Sequence, residues 1–228
     1  MVRREFCLAC KRALDVVLAS TALILVLPVM LVVAIAIRLD SRGPAIFRQQ
    51  RVTVARRVTR GSERWEPYLF TCYKFRSMVH NVSEERHQAY IGALINDDRK
   101  QMAEIQGQDV PVHKLVHDDR VTRVGSWIRK TSLDELPQLF NVLKGDMSLV
   151  GPRPAIPYEV NLYKPWHHQR LQAKPGITGW WQINGRGTAE FDDGIRQDIW
   201  YVKHQSLRLD LYILLKTLFV VLGRKGAY

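Results

Sequence analysis

Residues Val16 to Ile37 read VVLASTALILVLPVMLVVAIAI, 22 positions without a charge, and this run decides the fold class. At the 1.5 Å rise of an α-helix it is long enough to cross the hydrocarbon core of a bilayer. Pro28 lies near its centre. A proline there removes one backbone donor and its ring clashes with the carbonyl of Ile24, so a kink or break is expected. Basic residues flank both ends: Arg3, Arg4, Lys11 and Arg12 before the run, Arg38, Arg42, Arg48 and Arg51 after it. For a spanning helix these flanks give no preferred orientation. A helix that enters the membrane, breaks at Pro28 and returns to the same cytoplasmic face satisfies the positive-inside rule without conflict. Re-entry is therefore the leading reading, with a spanning helix as the alternative. A secretory signal would find a cleavage-like Ala34-x-Ala36, but the apolar region is too long and carries a central proline.

Beyond Leu39 the composition turns polar, and the formal net charge of +12 over the whole chain implies anionic partners. Residues 1–40 are read as a membrane segment and 41–228 as one cytoplasmic domain. Beside an apolar anchor, lipid headgroups and phosphorylated substrates outrank nucleic acid. No helix-turn-helix spacing, RNP-like motif or zinc-finger ligand set supports DNA or RNA. Cys7, Cys10 and Cys72 are too few for a disulfide scaffold, and Cys7-x-x-Cys10 lacks the second pair a zinc site needs. His167-His168 is a weak metal site, because neighbours on a helix diverge by about 100°.

Along the domain, Ala45-Ile46-Phe47 and Phe70 to Phe75 read as two strands of a hairpin joined by a long basic loop, Arg51 to Arg64. Val79 to Met102 has helical character, and Val124, Trp127 and Ile128 suggest a short helix leading to Ser132. There, Asp134 and Glu135 precede an apolar face formed by Leu136, Leu139, Phe140 and Leu143, which Gly145 would stop. The acids thus sit at a helix N-terminus, where the dipole favours the ionised carboxylate. Two uses are open: Ser132-x-x-Glu135 fits a capping box, and a carboxylate there suits a nucleophile or metal ligand. Gly151-Pro152-Arg153-Pro154 fixes the backbone on both sides of one arginine, either for gripping a phosphate or for pairing with an acid such as Asp146. Lys174 to Gly187 is a glycine-rich turn region that carries Arg186 between glycines.

Taken in order, Tyr73-Lys74-Phe75-Arg76-Ser77-Met78, Asp119-Arg120-Val121-Thr122-Arg123-Val124-Gly125, Ser132-Leu133-Asp134-Glu135-Leu136-Pro137-Gln138, the Gly-Pro-Arg-Pro segment and Asn184-Gly185-Arg186 resemble the bacterial sugar transferase family. These are the monotopic polyprenyl-phosphate phosphoglycosyl transferases. The closing Leu209 to Thr217 and Arg224 to Tyr228 resemble its short exopolysaccharide branch, so the likeness covers nearly the whole chain. It implies an α/β (α+β) monotopic membrane protein with a Pro-broken re-entrant helix, a small catalytic domain on the cytoplasmic face of the inner membrane, and interfacial amphipathic helices. Trp166, Trp180, Trp181 and Trp200 would suit that interface, although core packing is tryptophan's commoner fate.

The implied reaction moves a sugar 1-phosphate from a UDP-sugar to undecaprenyl phosphate and releases UMP, the first membrane step of exopolysaccharide, capsule or O-antigen assembly. By the same resemblance Asp134 is the nucleophile and a magnesium ligand, and Glu135 positions the metal or assists the lipid phosphate. Arg153 and Arg186 bind phosphate, with Lys74 and Arg76 as weaker candidates. Oligomeric state, including a homo-oligomer, stays open, as does the sugar. Two departures stand out: Leu27 precedes Pro28 where the family usually has serine, and the basic segment from Thr53 to Tyr68 is longer than the usual connection. Two rivals remain. A glycosyltransferase releasing UDP commonly carries Asp-x-Asp, which does not occur in this chain, and a non-enzymatic membrane adaptor would leave the acid pair unexplained.

Overall fold

The computed structural model describes residues 2–59, 62–80, 83–107, 119–184 and 191–223. It opens with helix α1, Val2–Asp40. Two 14-residue strands follow, β1 (Ile46–Thr59) and β2 (Ser62–Phe75), paired antiparallel from Ile46 opposite Phe75 to Thr59 opposite Ser62. Next come α2 (Glu85–Ile95), α3 (Arg99–Gln106) and α4 (Arg123–Lys130). A 3-10 turn at Leu133–Glu135 leads into α5 (Gln138–Lys144) and β3 (Ser148–Val150). After α6 (Pro157–Asn161) and a 3-10 segment at Pro165–Gln172, β4 (Gly176–Thr178) pairs parallel with β3. Helices α7 (Trp180–Asn184), α8 (Phe191–His204) and α9 (Leu207–Leu222) close the described chain. The fold is mixed α/β, with one helix long and apolar enough to serve as a membrane anchor.

That anchor is built into the core. Lys11, Asp15, Ala19, Met30, Val33 and Ile37 are buried, with Leu23 and Val26 partly so, a spacing of three and four residues that keeps one stripe of α1 inward. Ala19 joins Val142, Met147, Val150, Tyr201 and Ile213, while Met30, Val33 and Ile37 join Phe75 and Ile128. The opposite face stays apolar and exposed: Ile24, Leu25, Leu31, Val32 and Leu39 are each more than 60% accessible. Leu215, Leu218 and Phe219 of α9 extend the same kind of surface.

Polar contacts fasten both ends of α1 to the domain. Lys11 Nζ donates to Asp210 at 2.7 Å and to the Val150 carbonyl at 3.0 Å. Asp15 accepts from the Leu149 N–H and the Ser148 hydroxyl. Arg12 donates to the carbonyls of Val142 and Leu143. At the far end Asp40 accepts from the Val124 N–H at 3.1 Å. Lys11 and Arg12 are thus not free topological flanks, because their charges are engaged inside the protein.

Three further expectations are corrected. Helix α1 carries Pro28 inside it without interruption, so of the kink or break expected there the break is absent: the proline removes one hydrogen bond, a loss that a helix can absorb as a bend. The basic segment is strand, not loop: it pairs with β2 along its described length, Arg51 to Val54 are buried, and Arg57 makes an exposed diagonal ion pair with Glu66 on the neighbouring strand. Ser132 makes no capping bond; it adopts φ +57°, in the left-handed region, and the chain takes a 3-10 turn before α5 begins at Gln138. Pro137 stands at the cap position of α5. Gly145 does end α5, at φ +89°.

Candidate active site

The acid pair rides on the 3-10 turn between α4 and α5, part-exposed at both positions. Its placement against β2 depends on Asn141 of α5. The buried Asn141 amide accepts from the Tyr73 N–H at 3.0 Å and donates to the Thr71 carbonyl at 2.7 Å, so a side chain supplies the bonds a third strand would. This sets Lys74 opposite the turn, and Lys74 Nζ donates to Glu135 Oε1 at 3.1 Å. The C-terminal end of α5 is held by cations: Arg12 takes two of its carbonyls and Lys174 donates to the Gly145 carbonyl at 2.5 Å, the charge sign that suits a helix C-terminus.

Arg153 follows β3. Asp146, its rival partner in sequence, is paired with Lys144 at 3.3 Å, and among the described residues no hydrogen bond or ion pair occupies the Arg153 guanidinium, which is half-buried. Cys72, buried on β2, feels the charges of Lys74, Arg51, Glu135 and Arg153, so one acid of the pair, the lysine and the two arginines act on the same part of the strand. Burial is the main cause that pushes its thiol above the ordinary range.

Other sequence candidates fall elsewhere. Arg76 is buried and caps the end of α1, donating to the carbonyls of Arg42, Ile37 and Ser41 and to the Ser41 hydroxyl. Its donors are engaged there instead of at the acid pair. Arg186 lies outside the described residues. His167 is buried and bonded to Asp192 and to the Lys164 N–H, a structural role. Trp181 is buried; Trp200 is exposed and lies against Trp180 and His204.

Sequence reasoning missed a further pair. His87 Nδ1 lies 2.5 Å from the Tyr158 hydroxyl. Burial first, then the charges of Arg153, Arg51 and Arg120, lower the His87 pKa to about 4. Burial, with Glu84 next, raises Tyr158 to about 12. Both are neutral at physiological pH and border the arginines. Their partners come from α2 and α6, 71 residues apart, and no local pattern links such positions.

Among the described residues no cluster of three metal-ligating side chains forms. Magnesium does not require one. It keeps several waters and is held by one or two carboxylates plus substrate phosphate oxygens, and Asp134 with Glu135 is a donor set of that kind.

An apolar helix long enough to serve as a membrane anchor is packed into a small α/β domain, with a carboxylate pair beside a lysine and an arginine that is unpaired among the described residues. The chain belongs to the bacterial sugar transferase family, whose sequence model matches residues 6–224. It is 45% identical to an undecaprenyl-phosphate galactose phosphotransferase from Salmonella typhimurium, over 96% of this chain and 41% of that protein. It is 40% identical to a UDP-glucose:undecaprenyl-phosphate glucose-1-phosphate transferase from Xanthomonas campestris, over 99% of this chain and 41% of that protein. The exopolysaccharide production protein ExoY of Rhizobium meliloti is 35% identical, over 96% of this chain and 88% of its own length. The chain spans about two-fifths of the length of the first two of these relatives.

Proposed function

We propose that this protein transfers a sugar 1-phosphate from a UDP-sugar to undecaprenyl phosphate and releases UMP, in the first membrane step of a surface polysaccharide. The observation that carries the reading is the arrangement around Cys72: Glu135, steadied by Lys74 and adjacent to Asp134 in the chain, and Arg153 both act on that one buried thiol, and no protein group takes the Arg153 donors among the described residues. A planar guanidinium fork suits two oxygens of a diphosphate. The names of the relatives agree with the donor and acceptor classes.

In this mechanism an Asp134 carboxylate oxygen attacks the sugar-proximal phosphorus. The bond from that phosphorus to the bridging oxygen breaks, and UMP departs with the electron pair. An oxygen of the lipid phosphate then attacks the same phosphorus, and the Asp134 carboxylate leaves. A covalent carrier lets one soluble and one membrane-bound substrate use the same site in turn. Lys74 holds Glu135 in place and adds positive charge beside the departing phosphate. Glu135 positions the metal or assists the lipid phosphate. Asp134 would hold magnesium, which would offset negative charge on the leaving group.

The domain works at the cytoplasmic face of the inner membrane. Both ends of α1 bond to one body, Lys11 and Asp15 at one end and Asp40 at the other, which supports the reading that the anchor begins and ends on one side of the bilayer. Anionic lipids then meet a basic protein surface.

Purified wild type in detergent with magnesium, undecaprenyl phosphate and a panel of UDP-sugars should release UMP. Without the lipid, mass spectrometry should find a phosphosugar adduct on Asp134. Asp134→Asn should stay folded and lose turnover by at least about a thousandfold, as for removal of a covalent nucleophile. Release of UDP would instead identify a glycosyltransferase, and no consumption of any UDP-sugar would favour an adaptor.

A further inference from the structure

Three consecutive carbonyls of the loop that carries Arg153 are each held by a donor. The Arg153 carbonyl accepts from Arg170 Nη2 at 3.0 Å, the Pro154 carbonyl from Arg51 Nη1 at 2.8 Å, and the Ala155 carbonyl from the Val52 N–H at 2.9 Å. The start of the loop is fixed as well, since the Gly151 N–H donates to Thr178 and the Pro152 carbonyl accepts from the Gly176 N–H. A half-buried side chain on such a segment has little freedom except in its own rotamers.

The two arginines differ in their surroundings. Arg170 is compensated: it meets Asp198 at 2.6 Å, Glu159 at 3.2 Å and the Tyr163 hydroxyl at 2.6 Å. Arg51 is only 7% exposed and has neutral partners, the Pro154 carbonyl and the Gln49 side-chain oxygen at 2.6 Å. Its buried Nε has no hydrogen-bond partner, and among the described residues no carboxylate pairs with it. Burying a guanidinium without a counter-charge is unfavourable. Burial first, and then the like charge of Arg153, pulls Arg51 below an arginine's ordinary range, against the weaker opposing influence of Cys72, Glu159 and Tyr158. Two uncompensated guanidiniums close together make a site that an anion stabilises.

We propose that Arg51, a β1 residue outside every motif quoted above, is a positioning residue for Arg153: it fixes the loop through the Pro154 carbonyl and so holds the Arg153 guanidinium at the phosphate-binding spot. The proposal rests on the reading that Arg153 grips the donor's diphosphate. It predicts that Arg51 acts through Arg153, so the two residues must be coupled in binding.

The test is a double-mutant cycle on the full-length protein in detergent, with Arg51→Gln, Arg153→Gln and the double variant. Melting curves confirm folding, calorimetry with UDP as the probe gives affinity, and UMP release from UDP-galactose and UDP-glucose gives KM and kcat. Each single variant should weaken UDP binding and raise donor KM by on the order of tenfold to a hundredfold, the range for a lost charge-assisted bond, with kcat changed less. The double variant should be no more than about threefold worse than Arg153→Gln alone. A double variant that falls by the product of the singles overturns the proposal while leaving the role of Arg153 standing. Unchanged binding and turnover in Arg153→Gln would refute the reading beneath it, and the proposal with it. If Arg51→Gln does not fold, the same cycle is run with Arg51→Lys, which keeps a charge but loses the planar fork of donors, and a multiplicative loss there overturns the proposal equally.

Discussion

The ion pair between α1 and α9 gives a prediction whose size follows from burial. Lys11 and Asp210 meet at 2.7 Å with side-chain exposures of 11% and 2%, and the Tyr201 hydroxyl donates to the other Asp210 oxygen at 2.6 Å. Asp210→Asn keeps the shape and an acceptor for Tyr201 but strands the Lys11 ammonium. Removing one partner of a buried pair costs about 3–5 kcal/mol. The low end applies, because Lys11 retains the Val150 carbonyl. At roughly 2–4 °C per kcal/mol for a domain of this size, the midpoint should fall by about 6–12 °C. The double variant Lys11→Met with Asp210→Leu removes both charges and should melt within about 3 °C of wild type or above it, since apolar replacements of buried pairs are often neutral or stabilising. Thermal unfolding in one detergent, followed by tryptophan fluorescence, measures all three proteins. If Asp210→Asn melts within about 2 °C of wild type, or the double variant is the worst of the set, the pair is not the fastening described here.

Asn141→Leu should cost about 2–4 kcal/mol by leaving the Tyr73 N–H and the Thr71 carbonyl unpaired, and should depress UMP release through the displaced Lys74; melting and turnover together check both. Ser132→Gly should leave stability unchanged or raise it by up to about 1 kcal/mol, because φ +57° suits glycine better than serine; a clear loss in the melting curve would restore the capping box. His87, with its folded pKa lowered to about 4 from 6.5, contributes stability that is present above about pH 6.5 and lost as pH falls toward 4, about 1–3 kcal/mol after discounting for partial exposure. His87→Gln should flatten that part of the pH profile of the melting temperature. A membrane-impermeant thiol reagent applied to intact cells should label neither the native Cys7 nor an Arg42→Cys variant, and labelling of one alone would place the ends of α1 on opposite faces.

The features legible in the sequence were those with a local physical signature. The charge-free run marked α1, the residues at three- and four-step spacing marked α4, and a glycine at the right offset marked the end of α5. The strands were found, but their length was not, because six basic residues from Arg48 to Arg64 read as solvated loop, and only the pairing with β2 showed that the described part of this segment is strand. The site divided in the same way. Lys74, Glu135 and Arg153 stand in one region, whereas Arg76 is bound to α1 by carbonyl partners that no side-chain pattern reveals. The charges of Lys11 and Arg12 looked like topological flanks because their partners, Asp210 and the end of α5, lie 199 and 130 positions away. Hydrogen bonds to backbone carbonyls leave no trace in composition, and that is where Arg51 was missed.

The inward stripe of α1 means that the anchor is not a tether. A tethered domain samples a range of heights above its bilayer, and its linker can be exchanged for another of similar length. Here the apolar helix supplies part of the interior on which β2, α4 and α5 rest, so the acid pair sits at a set depth. In the proposed reaction a donor from solution can approach from any direction, but the lipid phosphate must rise or sink to that one level. Exchanging α1 for an unrelated apolar helix of equal length would keep the protein on the membrane and still empty the core, and a soluble version made by deletion would lose its fold along with its address.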